Sequence, residues 1–171
     1  FILVDQDGEN QIAVVPGANY SPKLKEQSFQ KGPGLLVLQL EIGNENNLVV
    51  AALAKKAGWK VVLTPAPSSE FDPKLLDFVD IITLHETEVT QLVGATDFES
   101  AGAELSKLVG LVFVTRGAQG VSVFADGQFM GNVNAMSVDA IDATGAGDTF
   151  CGYAVAGLAQ GLTPLEAAEL G

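Results

Sequence analysis

Positive charge is scarce in this chain. Of its 171 residues only nine are Lys or Arg, against twenty-one Asp or Glu, and the formal net charge is −12. Lys55-Lys56 is the only basic cluster, which argues against nucleic acid or an anionic membrane as a partner. A phosphate ligand would have to be held by backbone N–H groups and a metal more than by cationic side chains. Cysteine is nearly absent as well. Cys151 stands alone, which excludes an internal disulfide and fits a reducing compartment. It falls on the apolar face of an expected helix, where a buried structural thiol is the simplest reading. Arg116 and His85 are also single. A Ser-His-Asp triad would have to use His85, and no Gly-x-Ser-x-Gly elbow is present. A zinc site built on several His or Cys is excluded by count. No apolar run is long enough to cross a bilayer, and no stretch resembles a signal peptide.

What is there is a globular composition, 47% hydrophobic and 18% charged, long enough for one domain with a sizeable core. "FILVD" and "QIAVV" read as a hairpin turning at Asp7-Gly8. Residues 22–30 read as a short polar helix closed by "KGPG". Strands and helices then alternate. The strands are "LLVLQLE" (35–41), "KVVLTP", "DIITLH" and "LVFVTRG". The helices are "ENNLVVAALAKKAG", with Asn46 or Asn47 as cap and Gly58 as stop, then "DPKLLDFV", "ETEVTQLVG" and "DFESAGAELSKLVG". Short, wholly apolar strands between amphipathic helices predict an α/β fold with a mostly parallel sheet covered on both faces. "GVSVFADGQFMGNV" predicts a second hairpin, turning at Asp126-Gly127. Two helices, "DTFCGYAVAGLAQG" and "TPLEAAELG" with Thr163 as cap, follow. Phe1 opens in a strand-like run without an initiator Met, so both ends are expected to be unfinished.

Chemistry concentrates in "IDATGAGDTF", residues 141–150. Gly145, Ala146 and Gly147 carry almost no side chain and are followed by Asp148. A loop entering a helix leaves its first N–H groups without partners, and the helix dipole adds partial positive charge. With Thr144 as cap, the N–H groups of Ala146, Gly147 and Asp148 would form an anion hole suited to a transferring phosphoryl group. A carboxylate at the rim repels phosphate. It makes sense as a base that orients a substrate hydroxyl and accepts its proton. The competing reading is a helix packed tightly on a strand through its glycines. A dinucleotide fingerprint fails for want of a third glycine, and a Walker A loop for want of Gly-Lys-Ser/Thr.

"DATGAGDTF" resembles the signature D-T-x-G-A-G-D of the ribokinase-like (PfkB) carbohydrate kinases. Six further stretches fall in that family's order: "VDQDGENQIAVVPGAN", "LLVLQLEI", "VVLTPAP", "LHETEV", "VTRGAQGV" and "LTPLEAAEL". The likeness spans nearly the whole chain and is strongest to the ribokinase branch. It implies a three-layer α/β/α core over 16–171, incomplete at both ends, and a partial β lid over 1–15. It implies transfer of the γ-phosphoryl of ATP to the 5-hydroxyl of ribose. Asp148 would be the base, and Gly145, Ala146 and Gly147 the anion hole. Asp142 and Thr144 would hold a monovalent cation, typically potassium. Glu41 would bind sugar hydroxyls. Thr115, Gly117 and Gly120 would line the ATP site, with Arg116 reaching the phosphates or only solvent. Glu88 of "HETE" would arrange magnesium, and His85 stands where the family has Asn. A homodimer through the lid and a cytoplasmic location are further implications.

Two other readings remain open on the sequence. One is a sibling kinase for fructose, a ketodeoxy sugar acid or a nucleoside. The other is a non-catalytic nucleotide-binding module.

Overall fold

A computed structural model describes residues 1–4, 10–20, 29–30, 32–66, 71–138 and 143–171. Strands β1 (Ile2–Val4) and β2 (Asn10–Ile12) pair antiparallel, with Ile2 opposite Ile12, as a small sheet of their own. The Asp7-Gly8 turn and most of the expected 22–30 helix lie outside the described residues. This hairpin leaves its apolar side chains bare: Phe1 is 92% exposed and Leu3 69%.

The main sheet has six strands in sequence order: β3 (Leu35–Leu38), β4 (Lys60–Leu63), β5 (Ile81–His85), β6 (Leu111–Thr115), β7 (Val121–Ala125) and β8 (Gln128–Val133). The pairs β3/β4, β4/β5 and β5/β6 are parallel; β6/β7 and β7/β8 are antiparallel. The expected second hairpin is therefore β7–β8, turning through Asp126 and Gly127, both at positive φ.

Helices α1 (Asn44–Ala57), α2 (Glu86–Val93) and α3 (Phe98–Val109) cover one face. Helices α4 (Ala146–Ala159) and α5 (Pro164–Leu170) cover the other. The period-2 geometry of a strand explains why apolar runs are needed. Val61 and Leu63 of β4 pack with Val50, Ala54 and Leu105, while Val62 between them packs toward Phe150 and Ala154. Val112 and Val114 of β6 divide from Phe113 in the same way. The three-layer expectation holds. Among the described residues no helix is long and apolar enough to cross a membrane.

Three local expectations need correction. The strand expected over 35–41 ends at Leu38, and Glu41 lies in the turn that follows. Helix α1 begins at Asn44 behind Gly43, whose φ of 80° lets the chain enter without a side-chain cap. Asn46 and Asn47 sit inside the first turn, where their amides reach back to the carbonyls of Ile42 (2.7 Å) and Gln39 (2.8 Å). The "DPKLLDFV" helix is a tight 3₁₀ turn, Pro73–Asp77, capped by Asp72.

The turn between β6 and β7 separates two glycines of different kinds. Gly120 has φ +87°, and a Cβ there would lie 1.9 Å from the Val133 carbonyl oxygen. Gly117 has φ +53°, and a Cβ there meets nothing within 4 Å among the described residues. Gly120→Ala should therefore lower the unfolding free energy by at least about 3 kcal/mol, against about 1–2 for Gly117→Ala, as measured by chemical denaturation.

The helix caps also set an acid limit. Hydrogen bonds from the Ser100 backbone, then its side chain, hold the Asp97 carboxyl below its ordinary 3.8. The Thr163 hydroxyl, then its backbone N–H, holds Glu166 below 4.5. Such groups stabilise the fold fully above the unfolded values and lose that contribution as pH falls through the lowered folded ones. Asp97→Asn and Glu166→Gln should each flatten the acid limb of a stability–pH curve, measured by melting between pH 2 and 6.

Candidate active site

The parallel strands β4, β5 and β6 end on the same side of the sheet, and the β5/β6 register sets His85 beside Thr115. Loops diverge there and leave a crevice, the usual place for a ligand in an open α/β sheet. The crevice is a cleft of about 760 Å³. One wall is Thr64, His85, Glu88, Thr115, Gly117 and Gly120. The segment after β8 adds Asn134 and Met136, and the start of α4 supplies Gly145, Ala146, Gly147 and Asp148.

Helix α4 starts in this cleft because its second turn is anchored behind it. Phe150, Cys151 and Ala154 are buried against the sheet. Thr64, from the end of β4, donates its hydroxyl hydrogen to Cys151 Sγ at 3.3 Å. The buried structural thiol is as expected.

The expected Thr144 cap is not made. Gly145 is the cap residue, in the left-handed region at φ 77°, and makes no side-chain cap bond. Ala146 N–H closes a tight turn onto the Ala143 carbonyl at 3.1 Å, and the first bond inside the helix is from Thr149 N–H to Gly145 O at 2.9 Å. The Ala146 donor is therefore used by the turn. The N–H groups of Gly147 and Asp148 have no backbone acceptor among the described residues. Two donors, not three, are thus left without a backbone acceptor there, both on residues that line the cleft.

The glycines also answer whether tight packing demands them. Among the described residues, a Cβ built at Gly145 or at Gly147 meets nothing within 4 Å. Gly145 needs its left-handed φ. Gly147 needs neither a special φ nor a close neighbour.

The "HETE" segment is a capping box at the start of α2. The His85 backbone N–H donates to Glu88 Oε2 at 2.7 Å, and His85 Nδ1 accepts from Thr87 N–H at 3.4 Å. An imidazole with its proton on Nε2 has an acceptor at Nδ1, so it can fill a capping position that otherwise suits Asn. Glu88 is half-buried and also lines the cleft, with one oxygen committed to the box.

Three of the singled-out residues, Thr144, Arg116 and Glu41, do not line the cleft. Arg116 stacks its guanidinium over Phe98, 4.4 Å from the ring centroid, lies 3.5 Å from a Glu86 oxygen, and bonds Gln119. Its side chain is 20% exposed, so open solvent is not its setting. Glu41 is exposed in the β3–α1 turn. That turn nonetheless reaches the start of α4 through Gln39, whose side-chain amide donates to Asp148 Oδ1 at 2.9 Å. Asp142 lies outside the described residues. Among the described residues no cluster of three or more His, Cys, Asp or Glu could hold a metal by itself.

Gln39 and Asn134 went unremarked in the sequence. Gln39 carried a faint signal: a lone polar residue between Leu38 and Leu40, where alternation turns it away from the core.

The pfkB family carbohydrate kinase model matches residues 1–171. A ribokinase of Lactococcus lactis is 37% identical over 163 residues, covering 92% of this chain and 52% of that protein. The crystal structure of ribokinase from Thermotoga maritima superposes with a TM-score of 0.86 at 30% identity, over 98% of this chain and 58% of that one. That of Arabidopsis thaliana ribokinase complexed with ribose and ATP gives 0.77 at 28%, over 98% and 58%. The chain spans about half the length of the curated relatives it matches. It belongs to the pfkB family of carbohydrate kinases.

Proposed function

We propose that these residues form the nucleotide and phosphoryl-transfer part of an ATP-dependent ribose kinase. The observation that carries this reading is Gly147: a bare backbone position beside Asp148, at the mouth of a helix, that the fold does not require to be glycine. A close-packed helix would explain Gly147 only if a neighbour pressed on it. An anion approaching the N–H groups of Gly147 and Asp148 explains it directly.

The roles follow from position. Asp148 accepts the proton of the sugar's primary hydroxyl as that oxygen attacks the γ-phosphorus and the bond from γ-phosphorus to the bridging oxygen breaks, ADP leaving. The Gly147 and Asp148 N–H groups stabilise charge on the transferring oxygens. Thr115, Gly117 and Gly120 shape the nucleotide side of the cleft, and the exposed Glu41, two residues beyond Gln39, would bind the sugar. The donors present suit magnesium carried on ATP and held through water: Glu88 keeps one oxygen free of the capping box, and among the described residues too few carboxylates converge to hold a bare ion. Bound there, magnesium would draw charge from the phosphates. A potassium site at Asp142 and Thr144 completes the reading. The ribokinase of Arabidopsis, solved with ribose and ATP, supports both substrates. The bare apolar hairpin supports self-association through β1–β2, and the single buried cysteine a cytoplasmic home.

The test is ADP release by the complete polypeptide with ATP, magnesium and potassium, across ribose, deoxyribose, fructose and nucleosides. Ribose should be turned over best. Asp148→Asn should lower kcat at least about 100-fold. Gly147→Ala should lower it about 100-fold with the melting temperature unchanged or raised, since its methyl group enters only ligand space. A Gly147→Ala protein that is less stable but fully active would return the turn to a packing role.

A further inference from the structure

Gln39 is joined to Asp148 across 109 residues of sequence. An ionised carboxylate only accepts hydrogen bonds, so the contact dictates that the amide nitrogen of Gln39, not its oxygen, faces Asp148.

The backbone beneath Gln39 is tied on every side. Leu38 and Leu40, its neighbours, are buried in the core at 5% and 0% exposure. The Leu38 carbonyl accepts from Thr64 N–H at 2.9 Å, and Leu40 N–H donates to the Ala66 carbonyl at 3.1 Å. The Gln39 carbonyl itself accepts from Asn47 Nδ2 at 2.8 Å. Asn47 is wholly buried, and its Oδ1 has no hydrogen-bond partner among the described residues. A half-satisfied buried amide is costly, so packing alone does not account for an asparagine there. Its one bond serves to hold the Gln39 backbone.

We propose that Gln39 is the positioning residue for Asp148 in the phosphoryl transfer. This rests on the kinase reading above and adds a residue to it. With Oδ1 pinned by a side chain whose own backbone cannot shift, the Asp148 carboxylate is held against rotation. Oδ2 is then the oxygen left to take the hydroxyl proton, in one orientation. Without the amide, the carboxylate samples other rotations, and fewer encounters have the attacking oxygen aligned.

The experiment is a double-mutant cycle on the complete polypeptide with its best sugar, using Gln39→Leu, Gln39→Glu, Asp148→Asn and the two double variants. Melting curves check that each is folded. Gln39→Leu should lower kcat about 10- to 100-fold while KM for sugar and for ATP changes less than twofold. Gln39→Glu, which sets like charges together, should lose at least as much. On the residual rate of Asp148→Asn, either Gln39 change should cost less than about twofold, because the group it positions is gone. The proposal is overturned if a folded Gln39→Leu keeps its kcat, if the loss lies wholly in KM, or if the two losses multiply. Absence of turnover by the unsubstituted protein with every sugar overturns the kinase reading itself, and the positioning role with it.

Discussion

The ring of Phe150 meets that of Phe113 edge to face, with centroids 5.9 Å apart. Cys151 and Ala154 bury beside it, and together they seat α4 on the sheet face opposite α1–α3. Burying such an aromatic side chain stabilises the fold by roughly 1.5–3 kcal/mol, and the edge-to-face contact adds about 0.5–1.5. The position of everything at the cleft derives from this seating. Phe150 lies two residues beyond Asp148, so the helix cannot slide without moving the carboxylate and the Gly147 N–H group together. The N-terminus of α4 is thereby aimed at the ends of β4–β6, where the loops part.

Structure and chemistry share residues at two points of the cleft. At "HETE" the same atoms cap α2 and present a carboxylate: Glu88 Oε2 takes the His85 N–H, and the rest of the group faces the cleft. The capping geometry requires an acceptor at position 85, and imidazole Nδ1 supplies one, which is how His stands in for Asn without undoing the helix start. Around Gly120 the glycine is needed for the close approach of the Val133–Ala135 backbone, and that approach forms a wall of the cleft. Gly147 has no such double duty, which makes it the sharper probe of chemistry.

The alternating strands and helices were legible because each apolar run had to satisfy two buried faces at once, as Val61, Val62 and Leu63 show. The Asp126-Gly127 hairpin and the Thr163 cap were legible because their signals are local. Local signals failed where a competing local geometry was also available. Thr144 is a good cap by type, yet a left-handed Gly145 and the Ala146–Ala143 turn took over the helix start. Asn46 and Asn47 suit a cap, yet the flexible Gly43 let α1 begin earlier and turned both amides toward carbonyls of the preceding turn. Arg116 read as a phosphate ligand or a solvated cation, and its surroundings, Phe98 and Glu86, come from other elements of the chain.

The sequence by itself determined the layer architecture, the family signature in "DATGAGDTF" and the expectation that chemistry concentrates at Asp148 and its glycines. These depend on periodicity and on short runs whose chemistry is carried by neighbours in the chain. Only the tertiary structure decided which backbone donors stay open, that Arg116 packs over Phe98, and that Gln39 reaches Asp148. The reason is distance along the chain. A contact between residues 39 and 148 follows from β3 and α4 meeting at the same end of the sheet, and no local pattern encodes that.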